Sequence, residues 1–117
     1  TYNALNELVK HEQGVYLAPL RLLALEGKEE LETRGHLCSF ITGEEKEIVE
    51  NAKFTAQTIE TFNYHKIVDA VLIDEVQMIA DENRGWAWSQ ALLGAPAKNI
   101  ILTGSLDCRE IIEYICN

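Results

Sequence analysis

Basic residues are scarce in this chain: ten lysines and arginines stand against 19 acidic side chains, for a net charge of −9. A surface with that balance is not held broadly by nucleic acid or by an anionic membrane, so any contact with a polyanion has to be local. Cysteine is also sparse. Cys38, Cys108 and Cys116 make an odd count without C-x-x-C spacing, which fits core thiols in a reducing compartment better than a disulfide framework. His11, His36 and His65 stand singly, short of the clustered ligands a structural metal needs. No apolar run approaches the ~20 residues of a membrane-spanning helix; Ala70–Ile73 is strand-sized. No signal peptide is visible, and because the first residue is Thr1 rather than Met, the natural N-terminus is expected further upstream. Internal repeats, low-complexity tracts and linkers are absent as well. What remains is a chain of 117 residues, 47% hydrophobic and 25% charged, the composition of one globular domain over residues 1–117 with one core.

Short apolar runs alternate with amphipathic segments. Helices are expected over Tyr2–His11, over Arg21–Glu32 with Leu22, Leu23 and Leu25 facing inward, over Arg84–Leu93, and over Asp107–Cys116 with Asp107 as N-cap. Strands are expected over Gly14–Leu20, His36–Thr42, Ala52–Ile59, Val68–Val76 and Asn99–Thr103. The acidic stretches Glu26–Glu32 and Glu44–Glu50 read as solvated helix faces. Strands alternating with helices predict an α/β fold with a mostly parallel sheet flanked by helices. Such sheets bind ligands beyond the C-terminal ends of their strands.

Four segments at those ends carry possible chemistry. In Val71-Leu72-Ile73-Asp74-Glu75-Val76-Gln77 an apolar strand runs into two adjacent carboxylates. Phosphoryl transfer needs such a pair, one to hold Mg²⁺ and one to orient or deprotonate water; a strand ending in an acidic turn gives the same letters. Thr103-Gly104-Ser105 places two hydroxyls around a glycine, suited to the Asp74–Gln77 turn or a γ-phosphate, and equally to an ordinary strand-to-helix turn. Pro19-Leu20-Arg21 sets an arginine at a helix start, suited to a phosphate or simply solvated. Thr58-Ile59-Glu60-Thr61 offers hydroxyls to a nucleic-acid backbone, or caps a helix. Trp86 and Trp88, two apart on a helix, cannot both face the core; packing rather than base stacking is expected of them.

The order of these motifs is more specific than any one of them. P-x-R-x-L-A, T-G-E-E, T-x-E-T, D-E-V-Q and T-G-S follow successive strands, and this order resembles the first RecA-like domain of superfamily 2 helicases. Gly14–Ala24, Leu72–Ile79 and Arg84–Gly94 carry a closer resemblance to the DExH-type family of the mitochondrial degradosome RNA helicase and its bacterial relatives. The resemblance spans nearly the whole chain. It implies a RecA-like P-loop NTPase fold, ATP and Mg²⁺ as ligands, and RNA, with DNA open, as partner beside a second RecA-like domain. It implies that Asp74 holds Mg²⁺, that Glu75 acts on the hydrolytic water, that Gln77 relays nucleotide state, and that Thr103 and Ser105 couple hydrolysis to RNA movement. Pro19, Leu20, Arg21, Thr42, Gly43, Thr58 and Thr61 would line the nucleic-acid path. The implied location is the mitochondrion in a eukaryote and the cytoplasm in a bacterium, with no membrane association.

One departure stands out. The phosphate-binding loop G-x-x-x-x-G-K-[ST] of that family does not occur in these residues. The resemblance makes Thr1 the last residue of that loop and a Mg²⁺ ligand, with the loop and its strand missing ahead of it. These 117 residues alone are then expected not to turn over ATP and to bind RNA weakly. Two other classes fit parts of the pattern: another P-loop enzyme such as a nucleoside kinase, and a RecA-like binding module without catalysis.

Overall fold

The computed structural model describes residues 2–106 and 109–116. In chain order the elements are α1 (Tyr2–Leu8), β1 (Gly14–Ala18), α2 (Arg21–Thr33), β2 (Cys38–Ile41), β3 (Lys46–Glu47), β4 (Phe54–Thr58), β5 (Val68–Ile73), α3 (Gly85–Gly94), β6 (Ala97–Leu106) and β7 (Arg109–Cys116). Short 3-10 turns cover Ile59–Thr61 and Val76–Ala80.

The strands form one sheet in the order β3-β2-β4-β1-β5-β6-β7. β2, β4, β1, β5 and β6 run parallel, and β3 and β7 are antiparallel at the two edges. All five residues of β1 are buried, as a strand covered on both faces requires. Their side chains alternate between two cores. Tyr16 and Ala18 join Leu72, Ile101, Phe40 and Ala56 under α1 and α2. Val15 and Leu17 join Val71, Ile73 and Ile100 under Trp88, Ala87 and Ala91 of α3. A period of two in β1 and β5 thus feeds both layers.

Four expectations are corrected. The segment read as a terminal helix is the strand β7, paired residue for residue with β6 from Asn99↔Cys116 to Leu106↔Arg109. The run Ile111-Ile112-Glu113-Tyr114-Ile115 is rich in β-branched and aromatic residues, and the open edge of β6 supplies a ladder for them; Asp107, the proposed N-cap, lies outside the described residues. Thr103, Gly104 and Ser105 consequently sit within β6 rather than in a turn after it. On α2, Leu22 is 67% exposed, and the inward face is Ala24, Gly27 and Leu31, the spacing of one helical stripe. The acidic stretch Glu44–Glu50, expected as a helix face, instead carries the strand β3, where Lys46 and Glu47 pair with Ile41 and Phe40 as a short hairpin. Of the two tryptophans, Trp88 is buried and Trp86 exposed, as their spacing requires.

Candidate functional site

β5 is the strand next to the centre of the parallel array, and its apolar run delivers Asp74 and Glu75 to its C-terminal end. The two carboxylates end up in different surroundings. Asp74 is only 2% exposed, and a carboxylate so placed must be hydrogen-bonded. Three donors meet that need. The Tyr16 hydroxyl of β1 donates to Oδ2 at 2.6 Å. The Thr103 hydroxyl of β6 donates to Oδ1, as does the Glu75 amide at 3.0 Å. The backbone is fixed too: the Asp74 amide donates to the Leu17 carbonyl at 3.1 Å, and the Trp88 indole N–H of α3 donates to the Asp74 carbonyl at 2.8 Å. Burial, and next the Asp74 charge, push the Tyr16 phenol far above its ordinary range, so it remains a donor.

Glu75 turns away from this cluster. Its backbone lies in the left-handed region at φ 55° and ψ 49°, a conformation costing a non-glycine residue of order 1–3 kcal/mol. The turn brings its carboxylate to the surface, where the Gln77 side-chain amide donates to Oε2. Asp74, Glu75, Gln77 and Thr103 are therefore brought into one group. The described part of Ser105 is its place in β6 opposite Glu110. Thr1 lies outside the described residues.

The other predicted residues form two further groups. Thr58 and Thr61 face each other across the turn after β4: the Thr61 hydroxyl donates to the Thr58 carbonyl at 2.7 Å and accepts from Gln57 Nε2 at 3.0 Å. Pro19, buried at the end of β1, presents its carbonyl to Arg84 Nη2 at 2.6 Å, and Glu60 pairs with the same guanidinium. Leu20 is exposed beside them. Arg21 lies apart from that group. It forms a two-point ion pair with Glu45 and lies 5.8 Å from the Phe40 ring centroid. Thr42 caps the same turn, its hydroxyl accepting the Glu44 and Glu45 amides, with Gly43 exposed between. Hydrogen bonding to Arg21 holds the Glu45 carboxyl below its usual range.

The charged acceptors at this strand end are the carboxylate oxygens of Asp74 and Glu75, the hard oxygen type that a divalent cation such as Mg²⁺ takes. A carboxylate has about four acceptor positions, so the bonds from Tyr16, Thr103 and the Glu75 amide leave Asp74 one of them, on Oδ2. Sequence reasoning missed Tyr16, Trp88 and Arg84 as parts of these groups. Tyr16 stands 58 residues from its partner, and no local pattern announces such a bond. Arg84 and Trp88 sit in the idiosyncratic stretch Arg84–Gly94, the signal that was present.

Comparison with known proteins identifies the family. The family model of the DEXQ-box helicase domain of Suv3 matches residues 1–117, and the D-E-x-Q box falls on Asp74, Glu75 and Gln77. The chain is 39% identical over 116 residues to the mitochondrial DExH-box ATP-dependent RNA helicase DExH18 of Arabidopsis thaliana, covering 99% of this chain and 15% of that protein. It is 40% identical over 115 residues to the mitochondrial DExH16 of the same plant, covering 98% of this chain and 20% of the relative. It is 36% identical over 120 residues to the mitochondrial ATP-dependent RNA helicase SUV3 of Saccharomyces cerevisiae, covering 98% of this chain and 16% of that one. The chain thus spans about 15–20% of the length of these curated relatives. With a RecA-like α/β sheet, the D-E-x-Q box at the end of a strand beside its centre and a match over its whole length, the chain belongs to the family of the Suv3 DEXQ-box helicase domain.

Proposed function

We propose that this chain is the ATP-binding motor domain of an RNA helicase, coupling hydrolysis of MgATP to movement along or unwinding of RNA. The observation that carries the reading is the division of labour between adjacent carboxylates: Asp74 buried under three side-chain or amide donors, and Glu75 turned outward with Gln77 upon it. When bound, Mg²⁺ would supply positive charge that offsets the charge developing on the transferred phosphoryl group. Asp74, with Thr1, would hold that ion. Glu75 accepts a proton from the attacking water, and Gln77, bonded to Glu75, relays nucleotide state. Thr103, bonded to the carboxylate of Asp74 from β6, and Ser105 on the same strand link this centre to the strand beyond.

The nucleic-acid path runs over Pro19, Leu20, Arg21, Thr42, Gly43, Thr58 and Thr61. A chain of net charge −9 holds RNA there through few phosphate contacts, so the salt dependence of binding is shallow. A second RecA-like domain completes the groove, and the relatives' names point to a mitochondrial protein.

The test is steady-state ATP hydrolysis by the full-length protein, with and without single-stranded RNA, beside Glu75→Gln. Stimulation by RNA, with loss of about 10²–10⁴-fold in Glu75→Gln as expected for a general base, upholds the reading. Turnover that ignores RNA but needs a small phosphate acceptor points to a kinase, and no turnover at all to a binding module.

A further inference from the structure

Arg84 joins groups that the carboxylate pair and the threonine turn leave separate. It stands at the head of α3, its amide held by Asp81 Oδ1 at 2.8 Å. Its Nη2 donates to the Pro19 carbonyl at 2.6 Å, and its Nε donates to Glu60 Oε1 at 3.1 Å. The guanidinium lies 5.2 Å from the ring centroid of Trp88, within cation–π range. Trp88 is fully buried and donates to the Asp74 carbonyl at 2.8 Å. One planar fork therefore touches the end of β1, the turn after β4 and the indole that fixes the backbone of Asp74.

Two physical effects follow. Glu60 sits between Thr58 and Thr61, and a bare carboxylate among phosphate contacts repels the polyanion. Arg84 neutralises it at contact range, well inside the Debye length. The second effect is positional. A shift of the Pro19 or Glu60 segment pulls on Arg84, hence on Trp88 and the carbonyl of Asp74.

We propose that Arg84 is a positioning residue that shields Glu60 from the phosphates of bound RNA and ties the nucleic-acid segments to the Asp74 backbone through Trp88. The proposal rests on the helicase reading of the preceding subsection. A lysine at this position would do only part of the work, since a single ammonium lacks the fork that reaches Pro19 and Glu60 together while lying on the indole.

The experiment uses the full-length protein, a single-stranded RNA oligonucleotide and the variants Arg84→Met, Arg84→Lys, Glu60→Gln and Arg84→Met/Glu60→Gln. KM for RNA and kcat are read from RNA-stimulated ATP hydrolysis, with urea unfolding confirming that each variant is folded. In Arg84→Met the KM for RNA rises about five-fold, the upper end of what one partly exposed charge contributes, and Arg84→Lys falls between it and the parent. Adding Glu60→Gln to Arg84→Met returns KM toward the parent value, because the unpaired carboxylate is gone. The same double variant keeps a lowered ratio of stimulated to unstimulated kcat, because the link to Trp88 is still cut. Rescue of KM without rescue of kcat is a split that a merely structural arginine does not produce. If RNA stimulates the parent and Arg84→Met or Arg84→Lys scales both turnovers equally with KM unmoved, or if Glu60→Gln rescues nothing, the proposal is overturned alone. If RNA does not stimulate the parent, the helicase reading falls and takes the proposal with it.

Discussion

Replacing Tyr16 with phenylalanine removes one oxygen and nothing else. The ring is fully buried, and its hydroxyl donates at 2.6 Å to a carboxylate that is itself 2% exposed. The phenyl ring fills the same space, so no cavity term arises. The cost is the lost bond to a charged group in the interior, about 1.5–3 kcal/mol, with Asp74 Oδ2 left short of a donor. With a urea m-value of about 2 kcal/mol/M for a domain of this size, the midpoint should fall by about 1 M at constant m. Urea unfolding followed by tryptophan fluorescence reads it. Thr103→Val removes a donor from the other oxygen of the same carboxylate, so the two substitutions share a partner and their costs should not add. A midpoint shift in Tyr16→Phe below about 0.25 M, well under the hydrogen-bond range, refutes the claim that the phenol sustains buried Asp74. Strict additivity with Thr103→Val refutes the shared cluster.

Gly27→Ala places a Cβ 2.5 Å from Cδ2 and Cε2 of Tyr16, a ring pinned by Asp74. It should destabilise by about 1–3 kcal/mol although alanine is the better helix former, and denaturant titration reads the sign. Glu75→Gly relieves the left-handed backbone at φ 55° and should stabilise by up to about 1 kcal/mol while ATP turnover is lost; paired unfolding and hydrolysis assays check the opposed signs. Burial pushes the Cys38 thiol from 9.0 up to about 12. The folded state holds that proton more tightly than the unfolded one, so stability is intact below about pH 9 and declines as pH rises from there toward 12. Cys38→Ala should flatten that alkaline decline, measured by urea midpoints across about pH 8–10.

The sequence made legible whatever its local patterns determine. Continuous apolar runs marked β1 and β5, and the run Val71–Ile73 pointed straight at Asp74 and Glu75. It was silent where the outcome depends on partners distant in the chain. Whether Arg109–Cys116 coils or extends is decided by the open edge of β6, because isoleucines spaced as Ile111, Ile112 and Ile115 suit either state. The inward face of α2 is set by the room over Tyr16, which admits Gly27 and turns Leu22 outward. The two-residue β3 is too short to show any period. Arg21 was read as facing a phosphate or water, and Glu45, 24 residues away, takes it.

The cluster on Asp74 also bears on how the domain assembles. Its side-chain partners lie 58, 29 and 14 residues away, on β1, β6 and α3. None of these bonds forms from a local hairpin or an isolated helix; each needs β1, β5 and β6 already in register and α3 docked. Contacts of such separation close only after their loop entropy has been met, near the end of folding. A partly folded chain therefore holds a bare, solvated Asp74 and no site. Binding competence should appear together with the slowest-exchanging amides of the central strands, making occupancy of the site a reporter of complete folding.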